Sequence, residues 1–276
     1  MGARVEDFSS IFLFDYRGNL CEEGINKGLN EYSLITVEYW GNKMKTYLEE
    51  ITKDVYAFLV WDASWDSYNN CYLLLDDNDI LLIDSGKEEH SRFLFSALNS
   101  KGISNSDVTH FIATHGHKDH IGGIQHLGEV DGFIHKKDLE LVPQNLRHKL
   151  KMNLPDNGLT AGNLECVLLG HHTKGSVLLY HRKSRALFCG DHICFFGESL
   201  NDNKVVDLGT LEREKFKQFV SDWSQNEDMK REHHFNLFID GLRVINKFDV
   251  EYLCTGHGTI LKGNINRFIS DLLKFE

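Results

Sequence analysis

Residues 111–124 read Phe-Ile-Ala-Thr-His-Gly-His-Lys-Asp-His-Ile-Gly-Gly-Ile, and His115, His117, Asp119 and His120 stand within six of them. Neutral imidazole is a ligand for zinc, iron, nickel and copper, and a carboxylate adds charge and can span two ions. His115 and His117, two apart in a turn, can face one cation. Asp119 and His120, on the next bend, can face a second. Four side chains do not fill two coordination spheres, so further ligands must come from elsewhere. Three later segments each end an apolar run on such a residue: Leu-Leu-Gly-His-His on His172, Phe-Cys-Gly-Asp on Asp191 and Cys-Thr-Gly-His on His257. Groups carried on short loops at strand ends are aimed by a rigid scaffold.

The scaffold is legible from residue 51 onward. The stretch 71–86 reads as two apolar strands joined at Asp-Asp-Asn-Asp, a hairpin, running on to Asp84. Residues 88–102 have helical spacing and stop at Gly102. Residues 108–115 are predicted as a strand entering the histidine cluster, and 131–142 as a strand that turns helical. Strands are predicted over 164–172, 176–182, 185–192 and 250–258. Amphipathic helices are predicted over 212–226 and 234–248, with a closing helix over 264–276. Strands with interleaved helices indicate a mixed α/β protein whose helices cover sheet faces. Residues 1–47 match no motif and read as an N-terminal extension packed on the core; residues 48–276 read as the catalytic domain.

Composition narrows the function classes. A chain of 276 residues can bury a large core, and its 41% hydrophobic and 26% charged residues are ordinary for a globular protein. The net charge of −11 argues against a nucleic-acid binder. No apolar run approaches the roughly 18 residues that span a bilayer, and the N-terminus lacks a signal-peptide pattern. Six cysteines without a CxxC pair read as reduced thiols in a cytoplasmic protein. The expected partner is a small-molecule substrate, without nucleic acid or membrane; a homodimer is admissible.

The segments Thr-His-Gly-His-Lys-Asp-His, Gly-His-His-Thr-Lys-Gly-Ser, Cys-Gly-Asp-His and Thr-Gly-His-Gly, preceded by the strand ending at Asp84, resemble the five ordered motifs of the metallo-β-lactamase superfamily. The resemblance covers roughly residues 50–265. It implies an αββα sandwich of two mixed β-sheets flanked by helices, with two divalent metals in a cleft at one edge. By position, His115, His117 and His172 would hold one metal, and Asp119, His120 and His257 the other, with Asp191 bridging. Asp84 would steady the ligand loop without touching a metal. Zinc is the first expectation for both ions, with iron or manganese as alternatives. His171 precedes His172, and the pattern His-Thr-x-Gly-Ser favours His172. His192 follows the bridge as an extra, able to bond near a leaving group or simply to pack. His233 and His234 read as solvated helical residues. Lys174 replaces a proline common in the third motif and, with Lys118, would favour an anionic substrate.

The resemblance implies hydrolysis by a metal-bridging hydroxide between ions about 3.5 Å apart. Asp119 would shuttle a proton to the leaving group. The expected substrate is a small ester, thioester or lactone. A phosphodiesterase acting on a small nucleotide or phospholipid-like substrate is one alternative, and a di-iron oxidoreductase another. Quorum-quenching lactonases place a tyrosine where this chain has Cys194. Flavodiiron proteins use a Glu in the first motif and carry a flavodoxin domain, and neither is present. The segment between Asp191 and His257 is the expected wall of the substrate pocket, with Phe195, Phe196, Trp223 and Phe235 lining it or filling core.

Overall fold

The computed structural model describes residues 45–76, 79–196, 200 and 205–276 in full, and residues 13–14, 20–21, 34–39 and 42–44 as strand backbone. Two mixed sheets dominate it. In the first, Leu34–Tyr39, Asn42–Thr52, Val55–Asp62, Ser67–Asp76, Asp79–Ile83, His110–Ile112, Asp131–Ile134 and Met152–Asn153 lie side by side in chain order. The pairings are antiparallel up to Asp79–Ile83 and parallel beyond it. The second sheet runs Asn157–Leu159, Leu164–Leu168, Val177–His181, Ala186–Gly190, Tyr252–Thr255, Ile260–Lys262, Val206–Asp207. The expected hairpin is the pairing of Ser67–Asp76 with Asp79–Ile83. Its turn, like most of residues 1–47, lies outside the described residues; the boundary read at 47/48 falls inside the strand Asn42–Thr52.

The helices are α1 (Ser91–Ser100), α2 (Lys118–Ile121), α3 (Thr210–Ser224), α4 (Glu227–Glu232), α5 (Phe235–Ile245) and α6 (Ile265–Leu272). Three apolar layers separate the elements. Side chains such as Leu59, Leu74, Ile83, Val177, Leu179 and Phe188 meet between the sheets. Phe93, Leu94, Leu98, Phe111 and Ile124 pack α1 and the following loops on the outer face of the first sheet. Leu178, Leu187 and Leu253 pack against α3, α5 and α6 on the outer face of the second, beside Trp223, Phe238 and Phe268. Strands covered on both faces must be apolar at consecutive positions, which is why the central strands Val177–His181 and Ala186–Gly190 are buried throughout. The layer order is αββα, as the resemblance implied.

Residues 131–142 depart from the sequence reading. They form the strand Asp131–Ile134, but only a single 3-10 turn, Lys136–Asp138, follows. Among the described residues no helix is long and apolar enough to cross a membrane.

Topology brings the ligating residues to one edge. Asp79–Ile83 and His110–Ile112 run parallel, so Asp84 and His115 leave the first sheet at the same end. In the second sheet two antiparallel steps and one parallel step give Leu164–Leu168, Ala186–Gly190 and Tyr252–Thr255 a common direction. Their carboxyl ends therefore carry His172, Asp191 and His257 to one side, the usual place for a ligand crevice in an open sheet. The sheets are stitched there: the Val177 N–H donates to Thr114 O at 2.9 Å, the Asn70 N–H to Gly256 O at 2.9 Å, and the Tyr72 hydroxyl to Thr255 O at 2.6 Å.

Candidate metal centre

Two triads and a shared carboxylate assemble at that edge. His115, His117 and His172 present ligand atoms to one another, as do Asp119, His120 and His257, and Asp191 groups with His115 and His120. His117 Nδ1 is 3.1 Å from His115 Nε2 and 3.0 Å from His172 Nε2. His257 Nε2 is 3.4 Å from Asp119 Oδ2. Asp191 lies between: Oδ2 is 3.4 Å from His172 Nε2 and 3.5 Å from His257 Nε2, and Oδ1 is 3.2 Å from His120 Nε2. Ligands about 2.0–2.2 Å from a tetrahedral ion stand roughly 3.3–3.6 Å apart, so these spacings suit cations.

The orientation of three of the five rings is set from behind. The His120 Nδ1–H donates to Asp84 Oδ2 at 2.8 Å, and the His257 Nδ1–H to Tyr68 O at 3.2 Å. His115 Nδ1 lies 3.2 Å from Thr114 Oγ1. Each bond occupies Nδ1 and turns Nε2 to the centre. Asp84 also accepts from the Thr114 N–H and hydroxyl, at 2.8 and 2.7 Å, so it ties the ligand loop to the neighbouring strand. It belongs to none of the ligand groups.

Among the described residues, His120 Nε2 and Asp191 Oδ1 are buried and meet no group in hydrogen-bonding geometry, although they face each other. Donor atoms packed in that way fit a cation between them. The charges agree. Burial pushes His115 well below the ordinary histidine range, with His120 beside it adding to the effect, so its lone pair is free. Burial opposes ionisation of Asp191, yet His120 and His257 outweigh it and hold the carboxyl well below its usual range.

His257 supplies a pH test. Burial lowers its pKa, Asp191 and Asp119 outweigh that, and the value is pushed up to about 9. A free histidine titrates near 6.5, so the stabilisation by protonated His257 is complete below about pH 6.5 and is lost as pH rises through about 9. The metal-free protein is expected to lose thermal stability across that window. Metal binding requires the ring deprotonated, so the margin of the metal-loaded form over the metal-free form should widen with pH. Melting curves with and without chelator read both trends; a flat metal-free profile from pH 6.5 to 9 refutes the assignment.

Glycines make room for the constellation. A Cβ on Gly256 would stand 2.1 Å from Asp191 Oδ1 and 2.9 Å from His120 Cε1. Cβ atoms on Gly122 and Gly123 would meet Glu88 N at 2.5 Å and Ser85 O at 2.4 Å, which explains the pair after the histidine cluster.

Asp138 is the functional residue that sequence reading missed. It is fully buried and accepts from the Gly116 N–H at 2.9 Å, the Gly175 N–H at 2.6 Å and the Thr173 hydroxyl at 2.6 Å. It thereby joins the loop carrying His115 and His117 to the loop carrying His172. The only sequence signal was an acidic residue between Lys137 and Leu139, in no motif.

A cavity of about 860 Å3 adjoins His172 and Asp191. Phe195, Phe196 and Trp223 line it as expected, while Phe235 is core. His171, His192, His233 and His234 line it as well. His233 and His234 are exposed, but they form the turn between α4 and α5 rather than helix, because the chain must reverse there and His234 takes φ 52°. His192 is buried in the wall, stacked on Phe238 at 5.2 Å. Cys194 also lines the cavity, and burial raises its thiol pKa well above the ordinary value. On the other side of the centre a second cavity contains Asp119 and Lys118; Lys174 lines neither of the two. The five described cysteines outside residues 1–44 are free thiols.

A family model described as the metallo-beta-lactamase superfamily matches residues 65–257. A beta-lactamase-like protein 2 homolog from Caenorhabditis elegans is 27% identical over 137 residues, 47% of this chain and 45% of the relative. An atrochrysone carboxyl ACP thioesterase from Claviceps purpurea is 26% identical over 179 residues, 59% of this chain and 52% of the relative. The chain thus spans about half the length of these curated relatives. Among solved structures, a flavo di-iron protein from Thermotoga maritima matches with a TM-score of 0.66 at 19% identity, over 83% of this chain and 61% of that one. That likeness concerns the fold alone.

Proposed function

The chain belongs to the metallo-β-lactamase superfamily, and from that premise we propose that it is a dinuclear metal-dependent hydrolase cleaving an ester, thioester or lactone. One observation carries the reading: the Asp191 carboxylate stands within 3.5 Å of a nitrogen from each triad. His115, His117 and His172 would hold one ion, Asp119, His120 and His257 the other, and Asp191 both. When bound, such a pair supplies a water deprotonated near neutral pH and a Lewis acid for the substrate carbonyl. Asp119 lines the second cavity, and its partly accessible carboxylate can take a proton at Oδ2 and return it to the leaving group. The preference for an acyl bond is supported by the relative named as a thioesterase. Zinc is the first choice of metal, with iron or manganese as alternatives, and the substrate is a small organic molecule taken up by a cytoplasmic enzyme.

The test is metal content of the full chain purified without added metal, with turnover of ester, thioester, lactone and bis-p-nitrophenyl phosphate. About two ions per chain and acyl turnover that chelator abolishes and zinc restores are expected. Turnover of the phosphodiester alone would replace the reading with a phosphodiesterase. A redox-active iron pair without any hydrolysis would replace it with an oxidoreductase.

A further inference from the structure

The wall of the cavity beside His172 and Asp191 has an unusual composition for this chain. The three cores are filled largely by Leu, Ile and Val, with aromatics among them. None of those aliphatic residues lines the cavity, and Met229 is its one flexible apolar side chain. Eleven of its seventeen lining residues carry rings, with Glu212, Lys215 and Glu232 as the charged groups away from the metal centre, and the rings are arranged on one another. His192 stacks on Phe238 at 29°, and His171 stands edge-on to His192 at 5.0 Å. Trp223 lies 5.0 Å from Phe238 and 5.8 Å from Phe219. A Cβ on Gly241 of α5 would stand 2.2 Å from His192 Cε1, so the backbone leaves that ring its place.

A wall built only to pack would put carbon where this one puts nitrogen. Among the described residues, His171 Nδ1, both ring nitrogens of His192 and Trp223 Nε1 are buried and meet no hydrogen-bond partner within bonding limits, although the Phe238 main chain lies near enough to His192 to act on its charge. Polar-edged rings are a costly filling for a core and a suitable one for aromatic faces, which prefer offset and edge-to-face partners. The volume is that of a site for a drug-sized ligand, larger than the small substrate expected from the sequence.

We propose that this cavity binds a planar aromatic acyl group, delivering its carbonyl to the metal centre, in preference to a flexible aliphatic chain. The substrate is then an ester or thioester of an aromatic carboxylic acid. This rests on the hydrolase reading for its chemistry, but binding can be tested without turnover.

The probes are 2-naphthoate and undecanoate, which have equal carbon counts, titrated into the metal-loaded full chain by calorimetry. Undecanoate is the more flexible and buries at least as much apolar surface, so simple hydrophobic burial favours it. Two or three ring contacts are instead expected to make naphthoate about tenfold tighter or more. His192→Leu, and Phe219→Leu at the 48% exposed mouth where the fold is insensitive, should each weaken naphthoate several-fold while changing undecanoate less than about threefold. Undecanoate binding as tightly as naphthoate, equal weakening of both by the variants, or no saturable binding of either at millimolar concentration would overturn the proposal. Naphthoate preference without hydrolysis of a naphthoyl thioester would leave the cavity assignment standing and remove the hydrolase reading. Hydrolysis with preference for the undecanoyl thioester would do the reverse.

Discussion

Replacing Asp191 by alanine is expected to lower turnover by about 10³-fold or more and to reduce the metal content from about two ions per chain to one or fewer. The carboxylate is 8% exposed and stands between nitrogens of His172, His120 and His257. Among the described residues it is the one anion facing both triads. Without it, Asp119 would be the single anionic ligand left to offset two dications, and the two triads would lose the carboxylate they share. Several kcal/mol of charge stabilisation disappear with it, and each 1.36 kcal/mol is a factor of ten in rate. Asp191→Asn keeps the volume and one acceptor oxygen but removes the charge; it should retain one ion and most of the rate loss. Metal analysis and acyl turnover on the same preparations give the answer. Unchanged turnover in Asp191→Ala, or retention of both ions, would remove the basis for a shared-carboxylate centre.

Asp138→Ala should be the most damaging change outside the candidate ligands. It strands the Gly116 N–H, the Gly175 N–H and the Thr173 hydroxyl in a buried position. Breaking a buried hydrogen-bonded charge network costs about 3–5 kcal/mol, a fall in Tm on the order of 10 °C for a chain of this size. The loops carrying His117 and His172 also lose their common anchor, so metal affinity at that triad should fall about 10–100-fold. Asp138→Asn fits the space but sets its own N–H against either the Gly175 N–H, which meets Oδ1, or the Gly116 N–H, which meets Oδ2, and it should lie between. Melting temperature and metal titration separate the two effects. A variant that melts within a degree or two of the parent and binds metal normally would show that the loops hold their positions without this carboxylate.

Signals confined to neighbouring residues were the readable ones. The helix ending at Gly102 was marked by periodicity and a glycine, and the structure gives α1 to Ser100 with φ +75° at Gly102. The strands entering His115, His172, Asp191 and His257 were marked by short apolar runs. His233 and His234 were read as helical residues, because the apolar spacing that begins at Phe235 was extended back over them; the helix starts at Phe235 and both form the turn before it. Residues 136–142 were misread likewise: the Leu spacing suits a helix, but the Asp138 side chain is engaged by two distant loops and the backbone stops after one 3-10 turn.

The sequence by itself determined which side chains are candidates to carry chemistry and at which strand ends they stand, because spacing within a turn and an apolar run before it are properties of adjacent residues. Only the tertiary structure decided how those ends converge. The parallel pairings of Asp79–Ile83 with His110–Ile112 and of Ala186–Gly190 with Tyr252–Thr255 join segments up to 66 residues apart, Ala186 with Tyr252, and no local pattern encodes that register. The anchor at Asp138, the sheet stitching by Asn70 and Tyr72, and the ring-walled cavity belong to the same class. Each is made of ordinary residues whose meaning comes from a partner far along the chain, and packing alone brings that partner near.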